Sequence, residues 1–260
     1  MMRLGIVTPC VAKGDGQGRV NYEIAWEAIR RGHQVTLLAS RVAPELQQNS
    51  QVNWIDISVQ GLPVQLLREI SFARQSTQWL REHHQELDLV LANGAITRAP
   101  CEVNLVPFVH SAWLRSPLHI SRGRRDVYGL YQWLYTVLNA RWEKRAFLDA
   151  KLVVAVSQRV RQELLDIGIP KEPIEVIWCG VGLQEFYPGA GDRQKFDLPE
   201  RVPLALFVGD IRLNRKNLDT VLYALVDVPE LHLAVVGIVE GSPYPQLAEQ
   251  LGLSDRVHFL

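Results

Sequence analysis

Two cations in the second half of the chain are of the type that holds an anion. The sequence FVGDIRLNRKNLD runs from Phe207 to Asp219, with Gly209 at the end of an apolar run and Arg212 and Lys216 in the loop behind it. A helix is predicted to begin directly after this loop. The N–H groups and positive dipole end of a helix N-terminus favour anions. The segment therefore predicts a diphosphate site, with a solvated surface pair as the alternative interpretation.

A second candidate is the glycine-rich stretch PCVAKGDGQGRV at residues 9–20, which is predicted to be a loop between the first strand and the first helix. Gly14, Gly16 and Gly18 let the backbone approach a ligand closely, at the place where open α/β sheets bind ligands. The spacing is G-x-G-x-G rather than G-x-G-x-x-G, and the second predicted strand is followed by Arg41 rather than by an acidic residue. A nicotinamide-dependent oxidoreductase is therefore disfavoured, and a flexible surface loop is the remaining alternative.

His110 is the third candidate, at the end of the apolar run LVPFVH. An imidazole at the end of a strand is either a half-buried structural residue or a polar contact to a ligand. No Ser or Asp partner for a catalytic triad can be identified in the sequence, so nucleophilic attack is not predicted. Glu143 is predicted to form an ion pair along a helix face, and Ser157 is predicted to cap the helix that follows it.

The elements that position these residues can be predicted from the apolar patterns. Strand-like and helix-like patterns alternate along the sequence, which is typical of parallel sheets covered by helices. The predicted strands are Leu4–Thr8, Gln34–Ala39, Val52–Ile57, Leu87–Ala92, Leu105–Val109, Leu152–Val156, Ile174–Trp178, Leu204–Val208, Leu231–Val236 and Val257–Leu260. The predicted helices are Val20–Arg31, Val64–Arg81, Val127–Phe147, Val160–Ile167, Leu218–Val226 and Pro245–Leu251.

A change of composition after Val181 divides the chain. The next twenty or so residues are rich in proline, glycine and charge, which is typical of a linker. We predict an N-terminal Rossmann-like domain at 1–182, a linker at 183–202 and a partial C-terminal Rossmann-like domain at 203–260. The last part is shorter than the roughly 100 residues expected of a domain, so a C-terminally truncated chain is expected.

The composition argues against several classes of function. The 28 basic and 28 acidic residues give no net charge, which gives no support for nucleic-acid binding. The three cysteines lack C-x-x-C spacing, so neither disulfides nor a zinc site are predicted and the cytoplasm is favoured. No apolar run reaches the length of about 18 residues that a membrane span needs.

The segment from Trp113 to Trp142 has a different character, with four arginines in front of a predicted helix whose apolar residues recur at helical spacing. One interpretation is a core-facing helix behind a solvated basic loop. The alternative is a surface that contacts anionic lipid or an acidic acceptor.

In their order and separation these segments resemble the retaining glycosyltransferases of family 4 (glycosyl transferases group 1 type), which have the GT-B fold. Phe207–Asp219 is similar to the family's G-x-(+)-x-x-x-K-N/G-x-D segment, and VIWCGVGLQEFYP to its turn N-G-V-D-x-x-x-F-x-P. In that turn Cys179 and Gly182 replace the usual asparagine and aspartate. The resemblance implies an α/β protein of GT-B type with two Rossmann-like parallel-sheet domains, the second incomplete.

The resemblance also implies a function: transfer of a sugar from a nucleotide-diphosphate sugar to a carbohydrate or lipid-linked acceptor, with retention of configuration, in the cytoplasm or peripheral to the inner membrane face. No metal or other cofactor is expected, and no D-x-D cluster is present. The site residues implied are His110, Arg212 and Lys216 for catalysis, and Gly16, Gly18, Gly209, Arg212 and Lys216 for donor binding. The family's E-x₇-E motif has no counterpart before Leu260. Weak or absent activity of this chain alone is therefore expected, and a non-catalytic binding scaffold is the alternative.

Overall fold

The computed structural model describes residues 1–189 and 191–260, and the chain divides into two compact units, Met1–Gly180 and Val181–Leu260. The segment predicted as a linker belongs to the second unit. Its described residues are mostly exposed and hold one short 3-10 helix, Gln194–Phe196. The functional assignment of the two units stays a prediction.

The first unit is built on a seven-stranded parallel sheet. Its strands are β1 (Arg3–Val7), β3 (Gln34–Ala39), β5 (Val52–Asp56), β6 (Leu89–Asn93), β7 (Val103–Val106), β8 (Leu152–Ala155) and β9 (Ile174–Val176). They lie in the order β5-β3-β1-β6-β7-β8-β9, so β1 is flanked by β3 and β6. Two short strands, β2 (Cys10–Val11) and β4 (Arg41–Val42), pair with each other.

Helices cover both faces of this sheet. They are α1 (Gly16–Arg30), α2 (Pro44–Gln47), α3 (Gln65–His83), α4 (His110–Arg115), α5 (Ile120–Gly123), α6 (Val127–Asp149) and α7 (Gln158–Asp166), with a 3-10 helix at His84–Glu86. Successive strand residues face opposite sides, so Ile6 and Val7 belong to two different apolar clusters. Ser157 caps α7 by accepting from the Val160 N–H, which confirms that prediction.

Among the predicted boundaries that differ from the structure, two in the first unit affect the candidate site. Strand β7 ends at Val106 rather than at Val109, since Pro107 has no N–H to continue the ladder. His110 therefore begins α4 instead of ending a strand. Helix α1 begins at Gly16 rather than near Val20, because the Asp15 carboxylate caps it by accepting from the Gly18 N–H at 2.5 Å.

The second unit holds a three-stranded parallel sheet with its helices packed on one face. Its elements are β10 (Leu204–Val208), α8 (Leu218–Val226), β11 (His232–Val236), α9 (Tyr244–Gln250) and β12 (Val257–Phe259), in the sheet order β10-β11-β12, with a 3-10 helix at Asn214–Lys216. Phe207 and Val235 pack in the apolar cluster that includes Leu222. On the other face of β10, Leu206 and Val208 are about two-thirds exposed, at 66% and 65%.

Helix α6 is buried near one end and exposed near the other. Glu143 and Phe147, near its C-terminal end, are buried, as a core-facing helix requires. Near its N-terminal end Val127, Leu130 and Trp133 are exposed. Among the described residues, no helix is long and apolar enough to cross a membrane.

Candidate functional site

A cavity of about 740 Å³ lies in the first unit at the carboxyl ends of three neighbouring strands. Pro9 follows β1, Asn93 ends β6 and His110 follows β7, and all three line the cavity. Helices α3 and α6 supply further walls, including Glu69 and Tyr135. The carboxyl ends of strands are where open α/β sheets bind ligands, and this volume suits a small molecule.

The His110 imidazole is held in place by a buried carboxylate. Its Nδ1 lies 2.7 Å from Glu143 Oε2, and the other oxygen, Oε1, accepts from the Ser111 N–H at 3.1 Å. The Glu143 side chain is only 3% exposed. An ionised carboxylate can only accept, so Nδ1 carries the proton and Nε2 remains for a ligand in the cavity. Glu143 is therefore the partner that the sequence did not reveal, and the predicted ion pair along the helix face was wrong.

A second polar cluster joins α3 to α6 across the same cavity. The Tyr135 hydroxyl donates to Glu69 Oε1 at 2.5 Å, and the Asn139 amide donates to Glu69 Oε2 at 3.1 Å. Burial, and then the neighbouring Glu69 charge, raise the pKa of the Tyr135 phenol well above its ordinary value. Tyr135 is thus a protonated hydroxyl at neutral pH. These three residues were absent from the sequence-based site, because nothing in the sequence places residue 69 beside residue 135.

The turn after β6 is also fixed by a side chain. Asn104 in β7 accepts from the Gly94 N–H at 2.9 Å and donates to the Gly94 carbonyl at 3.0 Å. Gly94 has a φ of +71°, in the left-handed region where L side chains are strained. The bonds to Asn104 compensate for the backbone groups that the turn removes from the strand ladder.

The glycines of the first unit have structural reasons for their identity. A Cβ on Gly18 would lie 2.8 Å from the Cys10 sulfur and 3.0 Å from the Ala12 carbonyl, so α1 packs here only with glycine. A Cβ on Gly16 would meet open space. Gln17, which lies between them, lines the cavity. A donor-binding role for Gly16 and Gly18 stays a prediction.

In the second unit, Arg212 pairs with an acidic neighbour. Its guanidinium donates from Nε and Nη2 to the two Asp210 carboxylate oxygens, each at 3.0 Å, and its backbone N–H donates to the same side chain. These hydrogen bonds lower the pKa of Asp210 to about 2. Both side chains are more than a third exposed. The predicted anion site therefore contains a carboxylate next to its arginine.

Lys216 lies at the end of the short 3-10 helix and its stem covers Gly209. A Cβ on Gly209 would lie 3.2 Å from Lys216 Cγ. The loop that carries Arg212 and Lys216 is held by a hydrogen bond from outside the loop, in which the Ser242 hydroxyl donates to the Ile211 carbonyl at 2.8 Å. Asn217 follows with a φ of +55°, which asparagine tolerates better than most residues, and α8 begins behind it. The structure thus groups Gly209, Arg212 and Lys216 in one exposed loop, while His110 lies in the cavity of the first unit.

Several known structures have a similar fold. This chain matches, over its whole length, a sucrose-phosphate synthase from Thermosynechococcus elongatus (TM-score 0.71, 16% identity, 70% of that chain) and WaaG, a glycosyltransferase involved in lipopolysaccharide biosynthesis (TM-score 0.73, 20% identity, 70% of that chain). It also matches Anabaena HepE in complex with UDP and glucose (TM-score 0.62, 19% identity, 69% of that chain). The two parallel α/β units are those of the GT-B type, as the sequence predicted.

Sequence similarity identifies a family within the GT-B fold. The sequence profile of Glycosyltransferase Family 4 matches residues 14–185, about two-thirds of the chain, and the chain belongs to that family. A curated relative, the D-inositol 3-phosphate glycosyltransferase of Mycolicibacterium smegmatis, is 32% identical over 132 residues. This match spans 47% of the present chain and 30% of the relative. The part shared with that relative is thus less than a third of its length.

Proposed function

We propose that the chain belongs to a glycosyltransferase that takes a sugar from a nucleotide-diphosphate donor and passes it, with retention of configuration, to a hydroxyl-bearing acceptor. Family membership supports the transferase class, and a structural neighbour that binds UDP and glucose supports the kind of donor. One observation carries the proposal. Within the family-matched residues, His110 lines a cavity at the carboxyl edge of the sheet with its Nδ1 fixed by buried Glu143.

His110 would act through its free ring nitrogen. With Nδ1 bonded to Glu143, Nε2 can accept a hydrogen bond from a sugar hydroxyl without any reorientation of the ring. Such a fixed polar contact positions a substrate and stabilises charge as it develops. Glu143 would be a positioning residue, since it acts through the imidazole.

Arg212 and Lys216 would stabilise the leaving diphosphate. Negative charge grows on that group as the glycosidic bond breaks, and fixed cations in a loop lower the energy of this charge. The Asp210 carboxylate competes for Arg212. Because the pair is exposed, a dianionic diphosphate can replace it at small cost. Neither a metal ion nor another cofactor is part of this proposal.

A non-catalytic scaffold of the same fold is the alternative, and nucleotide binding separates the two. We would titrate the chain calorimetrically with UDP, GDP, ADP and NAD. Binding of one nucleoside diphosphate supports the transferase. Binding of none of them favours the scaffold, and binding of NAD alone contradicts both.

The variant Lys216→Ala tests the phosphate contact. Loss of one charged hydrogen bond costs about 1.5–3 kcal/mol, which is roughly tenfold or more in affinity. We expect that loss for the diphosphate and little change for the free nucleoside. Arg215→Ala is the matched control, because Arg215 lies in the same 3-10 helix and has no predicted role. Equal losses for the two variants, or for both ligands, would show that Lys216 is not the specific phosphate contact.

We further propose that the exposed N-terminal part of α6 contacts anionic lipid. Val127 is 85% exposed and Leu130 is 65% exposed, and the exposed Arg122 and Arg125 lie just before the helix. Apolar side chains beside arginines are typical of surfaces that lie on negatively charged membranes. Co-sedimentation with phosphatidylglycerol vesicles, but not with phosphatidylcholine vesicles, is the expected result. No sedimentation with either would contradict it.

A further inference from the structure

Asn93 is a buried polar residue without a partner. It is the last residue of β6, it is one of the residues that line the cavity, and it is only 4% exposed. Among the residues that the structure describes, neither its Oδ1 nor its Nδ2 has a hydrogen-bond partner, and both atoms are buried. Burying an amide in this way costs free energy, and few native side chains are left so. An uncompensated amide in the wall of a cavity therefore points to a ligand.

Asn104 provides an internal comparison, because it is the same residue type at the same edge of the sheet. It is fully buried and lies one strand away, in β7. Both of its amide atoms bond to the Gly94 backbone. The turn that follows Asn93 is thus fixed by Asn104. The Asn93 backbone is held separately by its pairing with Leu105, so the Asn93 amide is not needed for the local fold.

The chemistry of the amide indicates the kind of ligand. A carboxamide both donates and accepts and carries no charge, which matches a hydroxyl group that also donates and accepts. The other polar walls of the cavity are of similar type, since His110 offers a ring nitrogen and Tyr135 is a protonated hydroxyl. Phe108 and Trp142 add aromatic surface to the same walls, on which the apolar face of a sugar ring can pack.

We propose that Asn93 recognises a hydroxyl group of a polyol or sugar bound in the first unit. This inference rests on the proposed function only where it takes that ligand to be the sugar acceptor. Asn93 would then be a specificity-determining residue, because a ligand without a hydroxyl at that position would leave the buried amide uncompensated. Neither the motifs of the sequence nor its resemblance to the family assigned a role to this residue.

The test compares Asn93→Leu with Asn104→Leu, two substitutions of the same shape at the same depth. Leucine removes the polar atoms and keeps the branched shape and the number of side-chain heavy atoms, and both variants add the same extra volume. If the Asn93 amide serves only a ligand, Asn93→Leu melts at or above the wild-type temperature, because an uncompensated polar group has been removed. Asn104→Leu should melt several degrees lower, since it leaves the Gly94 N–H and carbonyl without partners.

Ligand binding is then measured on the full chain by saturation-transfer NMR, with millimolar D-glucose, D-galactose, D-mannose and myo-inositol as probes. We expect a signal from at least one probe with the wild type and loss of most of that signal with Asn93→Leu. A melting temperature for Asn93→Leu as low as that of Asn104→Leu overturns the proposal. So does the absence of signal from all four probes, or a signal that Asn93→Leu leaves unchanged.

These outcomes are separate from those of the nucleotide titration. If UDP or GDP binds but Asn93→Leu is destabilised, the proposed transferase stands and the role of Asn93 fails. If no nucleotide binds but a polyol does so through Asn93, the polyol subsite stands and the donor assignment fails.

Discussion

The two units present their candidate residues in opposite ways at the carboxyl ends of their sheets. In the first unit, His110 and the Gly94 turn are fixed by buried side chains, Glu143 and Asn104. In the second unit, the loop that carries Arg212 and Lys216 is exposed, and Arg212 is bonded to the exposed Asp210 carboxylate. The first arrangement is held by buried hydrogen bonds, whereas in the second the proposed diphosphate would have to replace an exposed ion pair. Substitutions should therefore change stability in the first unit and mainly binding in the second.

The largest expected effect comes from Glu143→Ala. Removing a buried carboxylate leaves the His110 ring nitrogen and the Ser111 N–H without a partner. We expect the free energy of unfolding to fall by about 2–4 kcal/mol, measured by urea denaturation. Glu23→Ala is the control, because its exposed pair with Arg19 contributes less than about 0.5 kcal/mol. Equal losses for the two variants would show that the buried Glu143 carboxylate stabilises the first unit no more than a surface ion pair does.

Glu143→Gln tests whether Glu143 orients the His110 ring, and it leaves no cavity because glutamine has nearly the same size as glutamate. The Ser111 N–H needs the glutamine oxygen as its acceptor, so the NH₂ group faces Nδ1 and donates to it, and the proton of the imidazole must move to Nε2. The ¹⁵N chemical shifts of the His110 ring should therefore report the other tautomer, with only a small loss of stability. An unchanged tautomer would mean that Glu143 does not orient the ring.

A smaller effect distinguishes the glycines of the two units. In Gly18→Ala the new methyl group meets the Cys10 sulfur and the Ala12 carbonyl, both part of a packed wall. We expect a loss of roughly 1–3 kcal/mol. In Gly209→Ala its tight contact, at 3.2 Å, is with the flexible Lys216 stem, and the Phe207 ring lies at an ordinary contact distance of 3.6 Å. Stability should therefore change by less than about 0.5 kcal/mol while binding of UDP or GDP weakens.

Gly16→Ala is the matched control for Gly18→Ala, since its methyl group enters open space within the same helix turn. Alanine is the better helix former, so the variant should be as stable as the wild type or more stable by up to about 1 kcal/mol. Thermal melting of the three variants decides the comparison. A Gly209→Ala loss as large as that of Gly18→Ala would show that the loop of the second unit is as tightly packed as the first.

The smallest effect concerns the pH dependence of the Asp210–Arg212 pair. The pKa of Asp210 is lowered to about 2 in the folded chain, below the ordinary aspartate value of 3.8. A lowered carboxyl pKa stabilises the fold above the unfolded value, and that contribution is lost as the pH falls from about 4 towards 2. NMR titration of the Asp210 carboxyl carbon should give the low pKa in the wild type and a higher pKa, closer to the ordinary value, in Arg212→Ala. The same titration curve in both chains would show that the pair does not form in solution.

Local sequence signals predicted most of the elements, whereas contacts between residues far apart in the sequence could not be predicted from it. Helix α8 and strand β10 lie where their patterns placed them, because periodicity and turn residues act over a few positions. The Pro107 break in β7 and the Asp15 cap of α1 were local signals too, and both could have been found from the sequence. The bond between His110 and Glu143 joins residues 33 positions apart, and no propensity contains that information.

The candidate site shows the same division. The sequence selected His110 and the loop with Arg212 and Lys216 as candidates, since their residue types and local motifs are visible, and their roles stay predictions. It gave no sign of Asn93, whose proposed role depends on what surrounds the residue rather than on any motif. An asparagine at the end of an apolar strand is unremarkable until its neighbours leave its amide without a partner.

The outer face of β10 has a consequence for handling the protein. Leu206 and Val208 turn apolar side chains to water along a strand that is an edge of its sheet. An edge strand has unpaired backbone N–H and C=O groups that can pair with a strand of another chain. Exposed apolar side chains on the same strand strengthen such a contact. We therefore expect these residues of the second unit to promote self-association of the purified chain. Light scattering should rise with protein concentration, and should rise less after a charge such as lysine is placed at position 206.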